Sequence, residues 1–232
     1  MDRHTTGFKL RRELERVTRA RKAAAADPAL SARRLALRRF QADRIARTHS
    51  DLLAASDSAP AARFFLTDLY GSHDLTERDA NLARIVPTME RMLPEAALHT
   101  IAEAVALDAL SEKLDRIMAE ALGVDFSEAD YVAVFRSLTS THERRLQLAH
   151  MDSVGRALCQ LVRVPLIGST LRVMRGPARL GQLMQLQEFL ERGYHAFKGM
   201  RHPERFVGTV VERERKLMER IYAGVEDPFA IH

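Results

Sequence analysis

Three residues with metal-binding side chains share one predicted helix at a spacing of one turn. Glu95, His99 and Glu103 recur every four residues, so all three lie on one helical face. Carboxylates and an imidazole at this spacing could bind a metal ion. The pattern lacks the Glu-x-x-His repeat of carboxylate-bridged di-iron bundles, and no second helix carries a matching set. A solvent-exposed face explains the same spacing, and we predict no metal site.

His142 falls in an apolar register with Tyr131, Phe135 and Leu138, which indicates a histidine in the core. A haem- or iron-dependent, oxygenase-like enzyme would use such a residue as a ligand, given a surrounding apolar pocket. The sequence contains no Gly-x-Ser-x-Gly elbow and no glycine-rich phosphate loop. We therefore predict no catalytic residue and no cofactor, and keep the haem or iron enzyme as an alternative.

Aromatic and acidic side chains are concentrated in the segment RFFLTDLYGSHDLTERD. Aromatic residues make up only 6% of the chain, yet Phe64, Phe65 and Tyr70 fall within seven residues. Such clustering is typical of a packing centre or of a pocket wall. We predict a ligand pocket in which these rings form the wall and Asp68 or Asp79 fixes an arginine that faces the ligand.

Arg172 and Arg175 stand near the end of a short apolar helix predicted over Leu166–Met174, just before Gly176-Pro177. The Gly-Pro pair predicts a turn. Two cations beside it could hold an anion or a carboxylate ligand, or they could bind the last carbonyl groups of the helix. Pairing with acids of the aromatic segment would join both regions into one buried polar cluster. We therefore include both arginines in the predicted site.

Positive charge is concentrated at the start of the chain. Residues 1–49 contain fourteen Lys and Arg against five Asp and Glu, a net charge of +9, whereas the remainder carries −4. Any contact with a polyanion should therefore involve the first two helices. The alternatives are a solvated face and pairing with acidic residues elsewhere on the same protein. The arginines concerned in the second helix are Arg33, Arg34, Arg38, Arg39, Arg44 and Arg47.

Apolar residues recur at helical spacing along most of the chain, and no run alternates with a period of two. We predict an all-α protein of roughly ten helices joined by short loops and packed as one compact bundle. Residues 1–232 then form a single domain, in which 1–57 is a basic helical arm or hairpin. Gly155, Gly181, Gly193 and Gly208 interrupt helical patterns, which indicates close approach of neighbouring helices or, as the less common reason, room for a ligand.

Four helix boundaries are marked by local signals. Asp27 with Pro28 predicts an N-cap and a first helical residue. A clean helical pattern over 95–122 ends at Gly123. Ser127 and Asp130 cap another long helix, which the pattern extends past His150 towards Val162. His202-Pro203 opens the last helix.

The composition is ordinary for a soluble, folded domain, with 46% hydrophobic and 29% charged residues. No run approaches the ~20 apolar residues of a membrane-spanning helix. The basic N-terminus is not followed by the apolar core of a secretory signal. Cys159 is the only cysteine, so no internal disulfide forms, and we expect it to be buried. These features together favour a cytoplasmic protein.

Five motifs together resemble those of a family of uncharacterised bacterial all-helical proteins: FFLTDLYG, SHDLTERD, VGRALCQLV, LRVMRGPARLGQL and LQEFLERGYHAFKGM. The family features are an FFL-x-DLYG block, an Arg-Asp pair shortly after it, an MRGPA turn and a late FLERG-aromatic helix. The resemblance spans about residues 60–222, and the basic N-terminal region before it matches less well. It implies a common fold and no particular activity. The matching positions are Phe64, Phe65, Asp68, Tyr70, Asp79 and Arg175-Gly176-Pro177.

We therefore expect a protein without a familiar enzymatic activity that binds a partner protein or an apolar or amphipathic small molecule. The ligand would lie between the aromatic segment and the Arg172–Pro177 turn. Two alternatives remain open, namely a haem- or iron-dependent enzyme and nucleic-acid association through the basic helices. A homodimer is compatible with the sequence. The predicted ligand-binding residues are Phe64, Phe65, Asp68, Tyr70, Asp79, Arg172 and Arg175.

Overall fold

The computed structural model describes residues 3–66, 86–87, 90, 95–180 and 184–230. Within these ranges the chain is all-α and contains no β-strand, which confirms the predicted fold class. None of the helices described is both long enough and apolar enough to cross a membrane. The helices are α1 (Arg3–Ala25), α2 (Pro28–Thr48), α3 (Ser50–Ala54), α4 (Ala59–Phe64), α5 (Glu95–Leu122), α6 (Glu128–Leu138), α7 (Thr141–Leu161), α8 (Pro165–Leu180), α9 (Met184–Lys198) and α10 (Pro203–Ala223).

Helix α5 is the centre of the bundle. It is 28 residues long and contacts α1, α2, α6 and α7. Helix α10 packs against α6 and α7, and α9 connects α4 and α8 to α7. Leu98, Leu114 and Met118 of α5 are fully buried, because the helical spacing of its apolar residues directs them towards these neighbours.

Several predicted boundaries are confirmed. The Asp27 carboxylate accepts hydrogen bonds from the first backbone N–H groups of α2, and Pro28 is the first residue of that helix. Ser127 and Asp130 form a reciprocal capping box at the start of α6. Helix α5 has the predicted bounds, and Gly123 follows it with a φ of 80°, a left-handed conformation that favours glycine.

The predicted continuous helix from Ser127 towards Val162 is wrong. Thr139 and Ser140 are extended and separate α6 from α7. The Thr139 hydroxyl donates to the Phe135 carbonyl at 2.6 Å, and Ser137 bonds the Ala133 carbonyl in the same way. Hydroxyl groups in this run thus compete with the backbone ladder, which explains the break.

The predicted turn at Arg175-Gly176-Pro177 is also wrong, because these residues lie inside the continuous helix α8. Pro177 lacks the N–H that would bond the carbonyl of Val173. The Val173 side chain is 71% exposed, so this carbonyl lies on the solvent side of the helix, where water can bond it. The helix therefore continues through a sequence that usually ends one.

Two of the helical glycines show the predicted close approach. A Cβ atom on Gly155 of α7 would lie 2.6 Å from Cγ1 of Val207 on α10, and one on Gly193 would lie 2.9 Å from the Phe64 ring. Gly208 differs, since no atom of the described residues lies within 4 Å of its Cβ position. Gly181 lies outside the described residues.

We expect Gly208→Ala to raise the free energy of unfolding by about 0.5–1 kcal/mol, because alanine is the better helix former and has room here. Gly155→Ala should lower it by about 1–3 kcal/mol, because its methyl group would overlap Val207. Urea denaturation of both variants measures the two changes. A loss of stability in Gly208→Ala would show that other atoms occupy the space where the added methyl group would lie.

Candidate ligand-binding site

The described aromatic residues of the predicted pocket lie in a packed core. The Phe65 ring stacks on Phe206 with ring centroids 6.0 Å apart and meets Phe197 edge-on at 5.9 Å. Phe64 is 8% exposed and covers Gly193. Both phenylalanines therefore stabilise the contact of α4 with α9 and α10. Three further members of the predicted site, Asp68, Tyr70 and Asp79, lie outside the described residues.

The two predicted arginines lie on the exposed side of α8. Arg172 donates to the Gly168 carbonyl of its own helix at 3.4 Å. Arg175 binds both carboxylate oxygens of Glu191 on α9, at 2.6 and 2.7 Å. These hydrogen bonds lower the pKa of Glu191 to about 2. The described partner of Arg175 is thus an acid of the neighbouring helix.

The histidines considered as ligands lie on two helices, His99 on α5 and His142 and His150 on α7. His142 is exposed on α7, because the break at Thr139 and Ser140 removes it from the apolar register of α6. Glu103 accepts from Lys9 Nζ and from His150 Nδ1, each at 2.8 Å. Glu95 and His99, which share the considered face of α5 with Glu103, are exposed. In the described part of the chain no group of three or more His, Cys, Asp or Glu is arranged to hold a metal ion.

Many of the basic residues in the N-terminal region 1–49 form ion pairs with carboxylates of the same protein. Of the six arginines of α2 considered above, four bind carboxylates on other helices. Arg34 and Arg38 bind Glu112, Arg44 binds Glu214, and Arg47 binds Glu128. The alternative of pairing with acids on the same protein is therefore the arrangement found for these four.

Glu112 is the centre of this pairing. The side chain is 4% exposed on α5 and accepts from Nη2 of Arg34, from Nη2 of Arg38 and, at 3.1 Å, from Nε of Arg21. Arg21 also donates to Asp108 at 2.7 Å. Burial lowers the pKa of Arg34 to about 10, and the positive charge of Arg38 contributes. These ion pairs connect α1 and α2 to α5.

A cavity of about 80 Å³ lies where α2, α5, α6, α7 and α10 meet. A water molecule needs roughly 10–15 Å³ in this measure, so the space suits several waters or one small organic molecule. Its polar lining residues are Gln41, Arg44, Ser111, Asp115, Tyr131, Arg144, Gln147 and Glu214. Its apolar lining residues are Ile45, Leu107, Phe135, Leu148, Met151, Leu217 and Met218.

Arg144 is the least compensated cation of this lining. The residue is 6% exposed. Its guanidinium group lies over the ring of Phe135, with the guanidinium carbon 4.1 Å from the ring centroid. Its nitrogens donate to three neutral acceptors, namely Thr139 Oγ1 at 3.3 Å, Gln147 Oε1 at 3.0 Å and Met118 Sδ at 3.0 Å. Among the described residues no carboxylate forms an ion pair with it. Burial lowers its pKa from the ordinary value of arginine.

Tyr131 also lines the cavity. The residue is 2% exposed, and its ring packs against Phe40 with centroids 4.6 Å apart. No described residue forms a hydrogen bond with the hydroxyl. Burial raises the pKa of Tyr131, opposed by the charges of Arg44 and Arg144. The phenol is therefore a protonated donor at neutral pH.

Glu214 supplies a paired negative charge at the same cavity. Its Oε1 accepts from Arg44 Nη1 and, at 3.1 Å, from His49 Nε2. Burial alone would raise the pKa of this carboxyl. The charge of Arg44 and the hydrogen bonds from His49 and Arg44 outweigh burial and lower the pKa to about 2. Glu214 is therefore ionised at neutral pH and already has its cations.

The prediction from sequence missed both Arg144 and Tyr131 as site residues. A signal for Arg144 exists, because it precedes Leu148, Met151 and Gly155 by four, seven and eleven residues. This spacing places a charged side chain on the apolar face of α7. Tyr131 shows no such signal, since a tyrosine in an apolar register is most often an ordinary core residue.

Comparison with family models shows where the chain belongs. The model of a domain of unknown function, DUF8198, matches residues 20–228. The match begins within α1, so it also includes the basic helix α2, which the resemblance over 60–222 left out. The searches of curated proteins and of solved structures gave no match. Because the matched residues make up most of the chain, the protein is a member of the DUF8198 family, as the resemblance to an uncharacterised helical family indicated.

Proposed function

We propose that the protein binds a small amphipathic molecule in the cavity between α2, α5, α6, α7 and α10. The proposal keeps the ligand class expected from the sequence and moves the site from the aromatic segment to this cavity. The observation that carries it is Tyr131, a buried residue that lines the cavity and whose hydroxyl has no hydrogen-bond partner among the described residues.

A hydrogen bond to a protein group contributes a net amount of about 0.5–1.5 kcal/mol, so an occupant that accepts from Tyr131 is favoured by roughly that amount over one that does not. The apolar lining residues Leu107, Leu148 and Met151 face the same space. A molecule with one polar end and a short apolar chain can satisfy both kinds of lining, whereas water satisfies only the polar side.

Methionine methyl groups provide a direct test in the full-length protein. Met151 and Met218 line the cavity, and Met200 lies in the separate core around Phe197. We expect at least one of n-butyrate, n-butyramide and n-butylamine to shift the ¹³C-methyl resonances of the two cavity methionines and leave that of Met200 unchanged. Titration should reach about 20 mM, because a gain of about 4 kcal/mol corresponds to a Kd near 1 mM.

A matched pair of variants locates the binding. Leu107→Phe adds volume inside the cavity and should abolish the shifts. Leu146→Phe makes the same change on an exposed position of α7 and should leave them intact. The proposal fails if none of the three compounds shifts the cavity methionines, or if both variants bind them equally well.

A further inference from the structure

Two arginines and two carboxylates line the cavity, namely Arg44, Arg144, Asp115 and Glu214. Glu214 binds Arg44. Asp115 accepts a hydrogen bond from Gln41 at 3.0 Å. The described hydrogen-bond partners of Arg144 are all neutral, so its guanidinium group is the lining cation without an ion pair among the described residues.

Arg144 also has N–H groups that make no hydrogen bond with a described residue. A guanidinium group carries five N–H donors, and the bonds to Thr139, Gln147 and Met118 use three of them. The remaining two N–H groups have no acceptor in the described part of the chain. Arg144 and Tyr131 both line the cavity, so these two N–H groups and the Tyr131 hydroxyl give at most three donors for an occupant. A carboxylate, with two oxygens and about four acceptor sites, matches this set.

Other charged residues of the lining limit the charge of the occupant. Asp115 and Glu214 border the same cavity and repel every negative charge of a ligand. Arg144 can offset this repulsion for one carboxylate that it binds, but not for a second one. A cationic ligand would meet the unpaired charge of Arg144 and could not accept its hydrogen bonds. Leu107, Leu148 and Met151 provide the apolar surface for a short chain.

We propose that the cavity selects a short-chain monocarboxylate, with its carboxylate on Arg144 and Tyr131 and its chain against the apolar lining. This selectivity rests on the proposed function, because it names the class of ligand that the same cavity takes. It adds a claim that the binding proposal lacks, namely that the charge of the ligand decides affinity.

Compounds of nearly equal size separate the two proposals. n-Butyrate and n-butyramide have the same number of heavy atoms and differ in charge, and malonate adds a second carboxylate. Monitored by the methyl resonances of Met151 and Met218, n-butyrate should bind about 30-fold more tightly than n-butyramide, as expected for charge-assisted hydrogen bonds. It should also bind more tightly than malonate. Equal affinity for the acid and the amide overturns the monocarboxylate assignment and leaves the binding function standing, as does a preference for malonate.

Two variants test the assigned residues. Arg144→Met should bring the affinities of n-butyrate and n-butyramide to within about threefold of each other, whereas Arg144→Lys should retain part of the preference. Tyr131→Phe should weaken n-butyrate binding about fivefold to tenfold without lowering the melting temperature, because the hydroxyl has no described protein partner. A fall in melting temperature with unchanged n-butyrate affinity would show that Tyr131 is structural only. The Tyr131 variant keeps the test decisive even where Arg144→Met fails to fold.

Discussion

Glu112→Gln should lower the free energy of unfolding by about 3–5 kcal/mol, the usual cost of removing one member of a buried ion pair. The variant retains the size of the side chain and removes its negative charge. Arg21, Arg34 and Arg38 would then surround a neutral amide in a site where the wild-type side chain is 4% exposed. Arg21 keeps its second carboxylate, Asp108, so the loss should fall mainly on the two arginines of α2.

Glu120→Gln is the matched control for this change. Glu120 lies two turns further along α5 and pairs with Arg116 at 2.8 Å, with both side chains about half exposed. An exposed pair contributes little, so we expect a change of about 0.5 kcal/mol or less. Urea denaturation of both variants at neutral pH and equal ionic strength gives the comparison. Similar small changes in the two variants would show that Glu112 does not hold α2 on α5.

The local signals correctly predicted those features that depend on residues close to one another in the sequence. The cap formed by Asp27 and the box formed by Ser127 and Asp130 each involve groups within three residues of one another. The bounds of α5 follow from one uninterrupted apolar spacing and a glycine beyond its end. Such features can be predicted from the sequence because their free energies depend on the local backbone.

Partners that are far apart in the sequence could not be predicted in this way. The hydrogen bonds of Glu112 to Arg34 and Arg38 join residues 78 and 74 positions apart. The position of Glu112 was nevertheless informative, since it lies seven residues from both Val105 and Ala119, which are buried on the same face of α5. A carboxylate in an apolar register predicts a buried cation nearby, although the sequence does not say which one.

The cavity was harder to predict, because five separate helices contribute to it. Arg144 and Arg145 are adjacent and chemically identical, yet the first is buried and the second is exposed. Their difference depends on the break at Thr139 and Ser140, which sets the rotation of α7. The sequence prediction extended one helix through this break, so it could not assign Arg144 to the interior.

The second large effect should appear as a pH dependence of Glu214→Gln. Arg44 and His49 hold the pKa of Glu214 near 2 in the folded protein despite burial, against an ordinary value of 4.5. A lowered folded-state pKa contributes stability that is present above pH 4.5 and disappears as the pH falls towards 2. The difference of about 2.5 pKa units corresponds to about 3 kcal/mol at neutral pH.

The gap in unfolding free energy between wild type and Glu214→Gln should therefore be largest near pH 6 and shrink by about 2 kcal/mol on going to pH 3. Denaturation curves at pH 6, 5, 4 and 3 measure this gap directly. Glu219→Gln, an exposed change on the same helix beside Arg215, should stay within about 0.5 kcal/mol of wild type at each pH. A gap that is constant over this range would mean that the pKa of Glu214 is the same in the folded and unfolded protein, so that Arg44 and His49 do not stabilise its charge.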